Sequence, residues 1–161
     1  MKVYDGSLDI VEFPKILLPN RKLDYGSGFY TTTSEKQSNE WVKRRMYEKG
    51  ASQGFTNVYE FDEGLLSELK CLMFKEPDED WAKFVLSNRM QDGFNHDYDV
   101  VYGPVANDKV YLQFGLYEVG AISIETLIKE LKTYKLIDQY LFHTENALRA
   151  LSFIKAIKIE S

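Results

Sequence analysis

Two hydrophobic periods sort the chain into short strands and helices, one repeating every second residue and one every third or fourth. Val3-Tyr4 begins a first strand that ends in Asp5-Gly6-Ser7. Residues 8–22 carry Pro14, Pro19 and the basic Asn20-Arg21-Lys22, and read as a loop. Gly26-Ser27-Gly28 then opens the aromatic, β-branched run Phe29-Tyr30-Thr31-Thr32-Thr33, a second strand. Ser34, with Gln37 three residues on, has capping-box spacing, so a helix is expected from Glu35 to about Glu48, stopped by Lys49-Gly50. Alternation of Phe55, Asn57, Tyr59 and Phe61 against Thr56, Val58 and Glu60 predicts a third strand.

Leu65–Phe74 has leucines at helical spacing but can end as a strand. Acids at Asp78, Glu79 and Asp80 start a helix with Trp81, Phe84 and Val85 on one side, ending near Gln91-Asp92-Gly93. Asp97–Val101 reads as a strand closed by Gly103-Pro104, and Ala106–Lys109 as a loop. Tyr111–Tyr117 reads as a strand or an irregular arm. Ser123 caps a helix with Leu127, Ile128 and Leu131 on its apolar face. Asp138–His143 is a strand, Thr144 caps Glu145–Leu151, and Ile154–Ile159 is a last strand. No repeat or linker interrupts the series, so residues 1–161 are expected to form a single α+β domain.

Composition narrows the partners. A net charge of −5 and a pI near 5.1 give no domain-wide basic footprint, which argues against nonspecific nucleic-acid binding. The single Cys71, among apolar neighbours, reads as a buried structural thiol and suits the cytoplasm. No signal-peptide pattern or membrane-length apolar run is present, and His96 and His143 lack the spacing of a metal site, so no metal is expected.

Three strand-associated motifs remain: Asp5-Gly6-Ser7 on the first strand, Gly26-Ser27-Gly28-Phe29-Tyr30 before the second, and Asp138–His143 late in the chain. In this order they resemble the ADP-ribosyltransferase superfamily, of the diphtheria-toxin and poly(ADP-ribose) polymerase branch. That branch carries His-Gly on its first strand, Gly-x-Gly-x-Tyr before a helix, and a Glu opening a later strand. A closer resemblance, spanning nearly the whole chain, is to a bacterial family of small ADP-ribosyltransferase-like proteins often found beside toxin–antitoxin genes. The matching blocks are Tyr4-Asp5-Gly6-Ser7, Asp24–Thr32, Tyr98–Lys109 and Asp138–Leu151.

The resemblance implies split β-sheets with flanking helices, NAD as substrate, and mono-ADP-ribosylation of a macromolecular acceptor. It further implies a bacterial toxin with a cognate antitoxin protein as partner. The alternative is an inactive module of the same fold that binds a nucleotide or a partner. The implied catalytic positions are Asp5, Tyr30 and Gln139, with Gly6, Ser7, Arg21, Lys22, Gly28, Tyr30 and Thr31 contacting NAD. Asp5 stands where the branch has histidine and Gln139 where it has glutamate.

The chemistry asks for such groups. Breaking the nicotinamide–ribose bond needs the ring held flat, the ribose oriented and developing positive charge stabilised. Tyr30 could stack on the ring, and the Gly6 backbone offers a donor and an acceptor to the carboxamide. Asp5 can accept from a ribose hydroxyl but brings a negative charge, which Lys2, Arg21 or Lys22 could offset. A neutral Gln139 keeps the hydrogen bond to ribose without the charge. Alternation places Gln139, Leu141 and His143 on one face of their strand and Tyr140 and Phe142 on the other.

Overall fold

The computed structural model describes residues 1–16, 25–90 and 95–160. In chain order the elements are β1 (Lys2–Ser7), β2 (Phe29–Thr32), α1 (Glu35–Lys49) and β3 (Gln53–Phe61). A 3-10 turn (Glu63–Glu68) leads to β4 (Cys71–Met73), α2 (Glu79–Met90), β5 (Val100–Pro104) and α3 (Asp108–Glu118). Then come α4 (Ile124–Leu131), β6 (Asp138–Phe142), α5 (Glu145–Leu148) and β7 (Leu151–Glu160). The α+β class expected from the patterning is the one observed.

The strands form a seven-stranded sheet in the order β4-β5-β6-β2-β1-β3-β7, antiparallel except for β4–β5. Where split sheets were expected, the described strands make one sheet, and its two halves meet at β1–β2. There the register consists of one pair, Tyr4 with Thr32, whereas β1–β3 and β2–β6 are paired along their length. Thr32 also opposes Gln139, so Tyr4, Thr32 and Gln139 lie on the same face.

That face carries the long helices. Leu141, Val101 and Tyr25 pack there with Trp81, Val85, Val110, Phe114, Leu127 and Leu131 of α2, α3 and α4. Towards β7 the same face is covered by α1, whose buried Val42 and Met46 crowd Gly54 of β3. The opposite face holds Val3, Tyr59, Phe61, Tyr140 and Phe142, closed by Ala147 and Leu148 of α5 and by Val11 and Ile16.

Local chemistry explains the boundaries. Ser34 Oγ accepts from Gln37 N at 3.1 Å, and Gly50, at φ 65°, ends α1 in the left-handed conformation that glycine adopts without strain. Leu65–Phe74 resolves into the 3-10 turn followed by β4. Residues 111–117 correct the strand or arm expected for them: they lie inside α3. Asn107 caps that helix by accepting from Val110 N at 3.1 Å, and Val110 and Phe114, one turn apart, are both buried. The cap and the spacing of four outweigh the strand propensity of Tyr-Leu-Gln-Phe. Asp108 and Lys109 belong to the same helix, and Gly103-Pro104 ends β5 inside the sheet. Among the described residues, no helix is long and apolar enough to cross a membrane.

Candidate functional site

The candidate site is a strip of the helix-bearing face where β1, β2 and β6 lie side by side and α1 forms one wall. Its geometry begins at Gly6. A Cβ there would lie 2.9 Å from each of Ser38 O, Trp41 Cδ1 and Val42 Cγ2. Glycine is therefore required because α1 is pressed against β1, and the contact brings an indole ring to the end of the strand. Gly6 pairs with Thr56 of β3 on its other side. Towards β2 the register ends at Tyr4–Thr32, so that edge of Gly6 takes part in no further register pair among the described residues.

Trp41 is 37% exposed, and the Arg44 guanidinium lies 6.0 Å from its ring centroid. Ser38 is 2% exposed and already engaged: its hydroxyl and that of Thr56 bond each other at 3.1 Å, and Thr56 Oγ1 donates to Asn39 Oδ1 at 2.6 Å. These bonds hold the start of α1 on the sheet. Trp41 and Ser38 are the members of the site that pattern reading did not assign. Their signal was the spacing of Ser38, Trp41 and Val42 from the Ser34 cap, which puts all three on one helix face.

Gln139 is 7% exposed, and its side chain makes no hydrogen bond among the described residues. Its face is the one expected from alternation, with Leu141 in the helix-side core and Tyr140 and Phe142 in the opposite one.

Tyr30 shares that face but is not free. Its hydroxyl donates to Gly26 O at 2.6 Å and accepts from Tyr25 N at 3.3 Å, while its ring packs on the helix-side core. The same glycine loop is gripped by two histidines. His143 Nδ1 is 2.7 Å from Ser27 O and His96 Nε2 is 3.1 Å from Tyr25 O. A carbonyl only accepts, so these nitrogens carry protons. The rings, far apart in sequence, meet edge to face with centroids 4.4 Å apart. Among the described residues His143 Nε2 is buried without a partner, and burial, against the bond to Ser27 and with a smaller push from His96, lowers the His143 pKa to about 4. Gly28 is needed here, because a Cβ would come 2.8 Å from His143 Nδ1. The histidines thus brace a loop. Among the described residues, no group of three or more His, Cys, Asp or Glu side chains is placed to hold a metal ion.

Of the other expected ligand residues, those that are described lie apart from this strip. Asp5 alternates with Gly6 and points to the opposite face, where Asn57 Nδ2 donates to Asp5 Oδ2 at 3.3 Å. Burial pushes its carboxyl up to about 6, against the opposing effects of the Asn57 bond and of Arg45. Among the described residues the cation that acts on Asp5 is Arg45 and not the expected Lys2; Arg21 and Lys22, also expected, are not among those residues. Asn57 also donates to Asp9 O at 3.1 Å and accepts from Val11 N at 3.1 Å, strapping that segment over Asp5. Ser7 Oγ accepts from Asp9 N at 3.2 Å. Thr31 is 3% exposed and donates to Tyr140 O at 2.9 Å, so its hydroxyl is already used. Arg21 and Lys22 lie outside the described residues. Cys71 is partly buried, with its Sγ 3.6 Å from Leu66 O and its pKa raised chiefly by burial.

Two surface depressions lie elsewhere. One, between β4 and α2, includes Met73, Lys75 and Lys83; the other includes Tyr102, Tyr134 and Asp138. Gly6 and Trp41 line neither.

The class defined so far is an α+β protein with one mixed sheet, whose accessible aromatic ring and unpaired amide share the helix-bearing face. Residues 1–153 match the family described as "Protein of unknown function (DUF3990)", and the chain belongs to that family. No curated protein and no solved structure matches it.

Proposed function

We propose that the protein is an NAD-dependent mono-ADP-ribosyltransferase, acting as the toxin of a bacterial toxin–antitoxin pair on a macromolecular acceptor. The observation that carries this reading is the approach of Trp41 to Gly6 at the open edge of β1, with Gln139 on the same face of the sheet. The nicotinamide ring stacks on Trp41, and its carboxamide bonds the free edge of the Gly6 backbone. The stacking role passes from Tyr30 to Trp41, and Tyr30 instead holds the glycine loop through Gly26. The Gln139 amide orients the ribose as the bond between nicotinamide nitrogen and ribose C1 breaks. Neutral nicotinamide departs with the electron pair. A nucleophile of the acceptor attacks C1 and releases its proton. Without a carboxylate at position 139 the oxocarbenium-like charge is weakly stabilised, so turnover without an acceptor is slow.

A second reading is supported by the neutral Gln139 and by the diversion of Asp5 to Asn57: an inactive module of this fold that binds a nucleotide or a partner. Incubation with NAD labelled on the adenosine half, together with bacterial extract, separates the two. The transferase transfers label to a macromolecule and releases nicotinamide in equal amount. The module binds NAD and releases none.

A further inference from the structure

We propose that Asp138 is a positioning residue that ties the floor of the site, at Gln139, to its wall, α1; this role rests on the transferase reading. Asp138 immediately precedes Gln139 at the start of β6, and its side chain lies among three elements. Tyr102 of β5 donates its hydroxyl to Asp138 Oδ2 at 2.5 Å. Thr33, at the junction of β2 and α1, donates to Asp138 Oδ1. The backbone carbonyl of Asp138 accepts from Thr32 Oγ1 at 3.1 Å. Thr32 Oγ1 in turn accepts from Ser34 N at 3.1 Å, and Ser34 is the N-cap of α1. A chain of hydrogen bonds therefore runs from β5 through the residue before Gln139 to the first turn of the helix that carries Trp41.

Hydrogen bonds from hydroxyls to a carboxylate are charge-assisted and directional. Here both carboxylate oxygens are used, one on each side of β6. Burial and the Asp138 contact raise the Tyr102 pKa, which keeps the phenol protonated and donating. Residues 33 and 34 lie between β2 and α1 and belong to neither; beside the Asp138 bridge, the junction is held by Ser34 N on Thr32 Oγ1 and by the Ser34 cap, neither of which reaches the Asp138 carboxylate. Without the carboxylate bridge, α1 keeps its fold and its seat on β1 and β3, but its first turn loses its registration against Gln139. The distance between a ring stacked on Trp41 and the amide that orients the ribose is then no longer held.

The test uses the full chain with Thr33→Val and Tyr102→Phe, singly and together, and Thr33→Ser as the conservative rescue. Two readouts are taken: nicotinamide release from NAD, and acrylamide quenching of tryptophan fluorescence. The quenching reports Trp41, because Trp81 is 0% exposed. In the double variant kcat is expected to fall about 10- to 100-fold, the scale of a misplaced reacting group, with KM little changed. Trp41 quenching changes alongside, and Thr33→Ser restores both. Trp41 quenching equal to wild type in the double variant overturns the proposal, whatever the turnover. If the wild type releases no nicotinamide, the transferase reading fails, while altered quenching rescued by Thr33→Ser still supports the link between Asp138 and α1.

Discussion

Replacing Asp5 with Asn should stabilise the protein at neutral pH and make it more sensitive to acid. The Asp5 carboxyl titrates at about 6 in the folded chain, against an ordinary 3.8. Between those values the folded state holds a proton that the unfolded state has lost, so this group weakens stability as pH rises through the window. Above pH 6 the penalty reaches about 3 kcal/mol. Asn keeps the shape, and its amide oxygen can still accept from Asn57 Nδ2. Asp5→Asn should therefore gain up to about 3 kcal/mol at pH 7.5, or roughly 6–12 °C in melting temperature for a chain of this size, and nothing near pH 4. His143 works in the opposite direction. Its folded pKa of about 4 lies below the ordinary 6.5, so acid is taken up first by the unfolded chain. Stability is lost as pH falls from 6.5 towards 4, again by about 3 kcal/mol. In the wild type the two effects oppose each other over nearly the same range. In Asp5→Asn the His143 loss is unmasked. Urea unfolding followed by circular dichroism at pH 7.5, 6.0, 5.0 and 4.5 reads both effects. An Asp5→Asn variant no more stable than wild type at pH 7.5, with a parallel pH profile, would refute the reasoning.

Other substitutions separate packing from ligand contact. Gly6→Ala places a methyl 2.9 Å from Ser38 O, Trp41 and Val42, and should lose about 1–3 kcal/mol of stability in urea unfolding. Trp41→Ala should weaken NAD binding by about 1–3 kcal/mol in calorimetry; a loss of stability with unchanged affinity would remove Trp41 from the site. Tyr30→Phe removes the bonds to Gly26 O and Tyr25 N, and should speed amide hydrogen exchange in residues 25–28 while lowering stability by about 1 kcal/mol.

Local signals made much of the framework legible. Ser34 with Gln37 marked the start of α1, and the alternation of Gln139, Leu141 and His143 against Tyr140 and Phe142 sorted β6 correctly between the two cores. Where two local signals conflicted, as at Tyr111–Tyr117, the aromatic propensity misled and the Asn107 cap decided. The site itself was harder to read because it is tertiary. Nothing within β1 says that α1 lies on Gly6 so closely that only glycine fits. Alternation alone puts Asp5 opposite Gly6, but which of them shares a face with Gln139 depends on register carried through β2 by the pairs Tyr4–Thr32 and Thr32–Gln139. The two histidines, distant in sequence, become a ring contact only when the glycine loop folds against β6.

The most direct test of the proposed chemistry is nicotinamide release from NAD by the purified wild-type protein beside Gln139→Ala. Gln139 has no side-chain hydrogen bond to lose among the described residues, so the substitution should shift the melting temperature by no more than a few degrees. A transferase with Gln139 at the ribose predicts slow but measurable release by the wild type and none by Gln139→Ala at equal stability. Release that continues undiminished in Gln139→Ala, or no release and no NAD binding by the wild type, would contradict it.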